Sequence, residues 1–115
     1  MDIKRYGSGP LLSQAVVRGD TVYLSGKVPK DVSQDIKGQT KQILDDIDRT
    51  LAKLGSDRTK VLTATIWLKD IKDRDAMNEV WLAWADPRNL PARACVQAAL
   101  ANPKILVEIM VTAAI

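Results

Sequence analysis

The chain has 115 residues, 46% hydrophobic and 27% charged, with a formal net charge of +3. That is the balance of one soluble globular domain spanning 1–115, able to bury a core without metal or disulfide support. With no histidine and one cysteine, the chain excludes a Ser-His-Asp triad, a Cys-His pair, a histidine or Cys-rich metal site and an intrachain disulfide.

In chain order, the N-terminal MDIKRYGSGP lacks the apolar stretch of a secretory signal. No later apolar run approaches the ~20 residues of a membrane span, so the expectation is a cytoplasmic protein with no membrane partner. Ile3–Tyr6 is a short extended stretch suited to a sheet edge. Ser13–Arg18 and Thr21–Val28 (TVYLSGKV) flank the turn signal Gly19-Asp20 and read as a hairpin that Pro29 ends. Ile43, Ile47, Leu51 and Leu54 recur at helical spacing, which predicts a helix over Asp35–Leu54 with Gly55 as its C′ residue.

Lys60–Leu68 alternates Val61, Thr63, Thr65 and Trp67 against Leu62, Ala64, Ile66 and Leu68, a strand covered at least in part on both faces. Met77, Val80, Trp81 and Trp84 form the core stripe of a second helix, Asp73–Ala85, which Asp86-Pro87 stops. Strands over Arg93–Ala98 and Ile105–Ala113 follow, joined by a turn at Asn102-Pro103-Lys104. The order β-β-β-α-β-α-β-β predicts an α+β sandwich with both helices on one face of a mixed sheet. The other face, expected to carry Ala99, Val107, Ile109, Val111 and Ala113, is left uncovered, and self-association would cover it.

The chemistry concentrates in LPARACVQAALANPKILVEIM, Leu90–Met110. Arg93 and Glu108 are charges inside otherwise apolar strand patterns, and such charges are costly unless paired or used. Arg93 lies where a loop enters a strand, and a guanidinium there can grip a carboxylate through two parallel hydrogen bonds. Cys95, two residues on, points to the same side, and Glu108 on the next strand can come within reach of it. A structural Arg93–Glu108 ion pair explains the same pattern. On its own residues Cys95 reads first as a small buried hydrophobe, because no histidine exists to activate it. Basic residues such as Lys37, Lys41, Lys72 and Arg74 interleave with acids, which argues against a nucleic-acid partner.

PARACVQAALANPKILVEI resembles the signature of the Rid family (reactive intermediate deaminases, also called YjgF proteins). GPLLSQAVVRGDTVYLSGKVP and TATIWLKDIKDRDAMNEVW are similar to other stretches of that family, and the C-terminal segment resembles its YoaB-like branch. The resemblance implies a chorismate-mutase-like fold and a homotrimer with clefts between subunits. It also implies hydrolysis of 2-imino acids, or their 2-aminoacrylate-type tautomers, to 2-keto acids and ammonia without metal or organic cofactor.

Residue by residue, it assigns carboxylate binding to Arg93 and water positioning to Glu108. It places Ser25, Gly26 and Cys95 in the cleft wall, with Asn78 and Trp81 nearby. The chain departs from the family pattern at Leu12, where the family has tyrosine, and at Lys27, where it has glutamine. A non-catalytic module that binds 2-keto acids in the same cleft is the alternative. RNA cleavage, sometimes assigned to the family, fits poorly with a chain lacking histidines and an aromatic RNA-binding run.

Overall fold

The computed structural model describes residues 1–115. Its elements are β1 (Ile3–Tyr6), β2 (Ala15–Arg18), β3 (Thr21–Leu24), α1 (Ile36–Lys53), β4 (Val61–Leu68), α2 (Arg74–Trp84), β5 (Ala92–Gln97) and β6 (Val107–Ala114). They form one six-stranded sheet in the order β1-β2-β3-β6-β4-β5. Only the β4–β5 pair is parallel. Helix α1 links β3 to β4 across the intervening β6, and α2 links β4 to its parallel neighbour β5. The result is the expected α+β, chorismate-mutase-like arrangement.

Local chemistry accounts for the helix ends. Asp35 caps α1 by accepting from the Gly38 N–H at 2.8 Å. Gly55 stops the helix with φ of 80°, a conformation that glycine adopts without strain. The α1 stripe begins one turn earlier than the apolar residues suggest, because Gln39 occupies the position before Ile43 and is fully buried. Its amide donates to the carbonyls of Val32, Gln34 and Lys104 and accepts from the Leu106 N–H at 2.8 Å. One polar side chain thus ties the start of α1 to the loop that enters β6.

A second polar tie joins the helices. Asp48 of α1 accepts from Trp84 Nε1 at 3.0 Å and from Arg58 at 2.5 Å. The Arg58 guanidinium lies 5.4 Å above the Trp84 ring.

The core lies between helices and sheet, and it corrects two expectations. Val107, Ile109, Val111 and Ala113 are buried under the helices, not on the uncovered face. The apolar, largely β-branched set of β6 takes the drier side, leaving Glu108, Met110, Thr112 and Ala114 on the open one. In β4, a register shift between Val61 and Thr63 puts Val61 in the core and leaves Leu62 exposed, which breaks the strict alternation. The face is still uncovered: Tyr23, Val96 and Met110 remain 39–49% exposed.

The hairpin also ends early. β3 stops at Leu24, and the chain rejoins the sheet only at Lys27, which pairs with Ile109 of β6. From Tyr23 to Lys27 the strand is one residue longer than the facing Thr112–Ile109 segment. Ser25 and Gly26 occupy that bulge.

Candidate functional site

Arg93 sits on the edge strand β5, in register with Ala64 of β4. Its side chain therefore leaves the sheet on the helix side. Nη1 donates to Asn78 Oδ1 at 2.8 Å, and the guanidinium carbon stands 5.1 Å from the centre of the Trp81 ring. Asn78 and Trp81 are three residues apart on α2, so one helix face supplies both supports. Trp81 is 5% exposed. It is thus a platform beneath the guanidinium, a contact worth about 0.5–2 kcal/mol. Arg93 itself is exposed and takes part in none of the ion pairs.

Cys95 follows on the same side, half-buried. Burial pushes its thiol pKa up, while the positive charges of Arg93 and Arg74 pull the other way. Burial prevails, so the thiol stays protonated at neutral pH, as suits a space-filling wall residue.

Glu108 is in register with Trp67 of β4, on the opposite face of the sheet from Ala64 and hence from Arg93. It is half-buried and packs so tightly on Gly26 that a Cβ at that position would overlap the carboxylate. Ser25, beside Gly26, donates weakly to Gln14 Oε1 at 3.4 Å.

The site is therefore built in two halves. Arg93, Asn78, Trp81 and Cys95 gather at the β5 edge on the helix side. Glu108, Gly26 and Ser25 gather where β3 meets β6, and the glutamate carboxylate lies on the open side. The strands carrying Arg93 and Glu108 are consecutive in sequence but have β4 between them. Two strand spacings and three residues along β4 put the two Cα atoms about 14 Å apart. Glu108 thus does not reach Arg93 from an adjacent strand of the same chain, and a structural ion pair between them within one chain is ruled out. Leu12 is half exposed, and Lys27 turns away from both halves towards Asp46 of α1.

The family resemblance sets Asn78 and Trp81 near the cleft. The structure shows both in contact with Arg93, which they orient and support. The close approach of Gly26 to Glu108 left one sequence signal, a glycine interrupting a β-branched strand.

The family model described as Endoribonuclease L-PSP matches residues 6–115. A RutC family protein from Haemophilus ducreyi is 43% identical over 103 residues, covering 90% of this chain and 88% of the relative. RutC family protein YoaB from Escherichia coli K12 is 41% identical over 115 residues, covering 100% of both chains. A crystal structure of a YjgF family member from Neisseria meningitidis superimposes with a TM-score of 0.96 at 46% identity, covering 99% of this chain and 95% of that one. No helix is long and apolar enough to cross a membrane.

Proposed function

The chain belongs to the endoribonuclease L-PSP family, the Rid or YjgF proteins, on their YoaB-like branch, and from that premise we propose that it hydrolyses 2-imino acids to 2-keto acids and ammonia. The observation that carries this reading is Arg93. An exposed guanidinium, oriented by Asn78 and backed by Trp81, has no protein carboxylate on it. It is set to receive one from a ligand.

A protonated imine conjugated to a carboxylate is already electrophilic, so the protein has only to hold it and deliver water. Arg93 fixes the carboxylate. Glu108 accepts a proton as water adds to C2, forming a carbinolamine. Glu108 gives that proton to nitrogen, then takes the hydroxyl proton as the C–N bond breaks and the carbonyl forms, and the departing ammonia carries it away as ammonium. Fixing the reactants in this way can lower a barrier by up to roughly 7–11 kcal/mol. Since the halves are separated within a chain, the reading requires Arg93 of one subunit to face Glu108, Ser25 and Gly26 of the next, as in a homotrimer with clefts between subunits.

The test is hydrolysis of an imine generated in situ by an amino acid oxidase. Wild-type protein no faster than Arg93→Ala would refute the proposal. A keto-acid-binding module without turnover is the second reading, favoured by Leu12, which removes a cleft hydroxyl. Keto-acid binding that is unchanged by Glu108→Gln, in a protein without imine hydrolysis, would select it. The RNA cleavage in the family's description is not carried over, because the basic residues form no stripe and no histidine is available.

A further inference from the structure

Lys27 is the departure from the family pattern that the deaminase reading leaves unused. Its side chain turns towards α1 and is nine-tenths buried. Burying an ammonium is costly unless its protons are taken up. Here the uptake is loose: Nζ lies 3.5 Å from Asp46 Oδ2 and 3.5 Å from Thr50 Oγ1, at the outer limit of hydrogen bonding. Arg49 also approaches Asp46, at 4.0 Å. Thr50 gives its own proton to the Asp46 carbonyl at 2.9 Å. An ammonium has three protons, so one has no protein acceptor.

Lys27 and Thr50, whose hydroxyl lies 3.5 Å from Nζ, both line a cavity of about 310 Å³ between the β1–β2 edge of the sheet and the last turns of α1. Lys27 and Lys53 give it charge, Thr50 and Gln14 give neutral polar groups, and Ala15 and Leu54 give apolar surface. No carboxylate lines it. The volume is at the small end of ligand sites. Asp46 offsets part of the charge on Lys27, and the C-terminal end of α1 disfavours a second negative charge. A singly charged carboxylate with a short aliphatic body therefore suits the cavity better than phosphate.

We infer that this cavity is a second binding site, for small aliphatic carboxylates, with Lys27 as its buried anchor and Lys53 at its mouth. It is distinct from the Arg93 half-site and from the Glu108 carboxylate. Lys27 is nevertheless bound through its backbone to Ile109, beside Glu108, by bonds of 2.8 and 3.0 Å.

The test uses the full-length, ¹⁵N-labelled Arg93→Ala protein, which lacks the other carboxylate anchor. It is titrated with sodium butyrate and, separately, with sodium phosphate. Butyrate should give saturable shifts of the Gln14, Lys27, Thr50, Lys53 and Leu54 amides, and phosphate should not. Lys27→Met should weaken butyrate binding by about tenfold or more, the loss of one charge-assisted hydrogen bond. Lys53→Ala, an exposed substitution, should weaken it severalfold and keeps the test decisive if Lys27→Met does not fold. Shifts that never saturate, that centre on Ser25 and Gly26, or that both variants leave unchanged would overturn the site. Phosphate saturating the same amides in place of butyrate would overturn the assigned ligand class.

Discussion

Gly26→Ala isolates the role of Glu108 with the smallest available perturbation. Gly26 does not have a positive φ, so alanine fits the backbone without strain. The added methyl would overlap the Glu108 carboxylate oxygen and crowd its Cδ and Cγ at 3.1 and 3.4 Å. The side chain must then retreat by about 1 Å, and a displacement of that size can cost 10²-fold in rate. The carboxylate makes no hydrogen bond within the chain and lies on the open face, so moving it should leave stability within about 1 kcal/mol. The expected result is a thermal midpoint near that of wild type and a fall in kcat of about two orders of magnitude in the oxidase-coupled imine assay. KM should change little, because Arg93 still holds the substrate carboxylate. A Gly26→Ala protein with full activity would show that Glu108 need not occupy this position and would remove it from the mechanism.

Gln39→Ala leaves a void at a fully buried position and removes the part-buried bonds to the Leu106 N–H and the Lys104 carbonyl. At about 1 kcal/mol for each lost bond and a similar amount for the void, it should cost about 3 kcal/mol, or about 12 °C in midpoint, measured by thermal melts. Arg93→Lys keeps the charge but loses the planar fork and weakens the contact with Trp81, so KM for an imino acid should rise about tenfold with the fold intact. The Cys95 thiol, held up by burial, favours the folded state fully below the unfolded thiol pKa, and this contribution is lost as pH rises through the folded value. Its alkylation by iodoacetamide should therefore set in at higher pH in native than in urea-unfolded protein. The opposite order would mean that Arg93 and Arg74 outweigh burial.

The elements were legible in the sequence because each amphipathic pattern matched its period: Ile43, Ile47 and Leu51 do lie on the buried face of α1, and Met77, Trp81 and Trp84 on that of α2. Features fixed by non-local pairing were not legible. Period-2 reading cannot foresee the β4 irregularity that moves Leu62 out of the core. Nor does period 2 alone say which series on β6 will meet the helices; the polarity of Glu108 and Thr112 was the signal that sets theirs on the open face. Strand order was the costliest gap. Nothing local to residues 98–106 says that this loop crosses the end of β4, which it does through bonds from the Lys69 N–H to the Leu106 carbonyl at 3.0 Å and from the Ala98 N–H to the Leu68 carbonyl at 2.9 Å. Gln39 was missed because a glutamine at a stripe position carries no apolar signal.

The separation of Arg93 from Glu108 bears directly on assembly. The two half-sites lie on different parts of the surface, so a site made from both needs a second subunit. A twofold dimer makes two such sites reciprocally, and a closed ring makes one at each interface by pairing the first half of each subunit with the second half of the next. The open sheet face and the edge strand β5, exposed along most of its length, leave room for that contact. Subunit mixing tests the arrangement. Arg93→Ala and Glu108→Gln proteins should each be inactive alone. Unfolded together in equal amounts and refolded, they should regain about one quarter of wild-type activity, since one interface in four receives both intact residues. If both residues of a site came from one chain, every site would carry a defect and mixing would restore nothing.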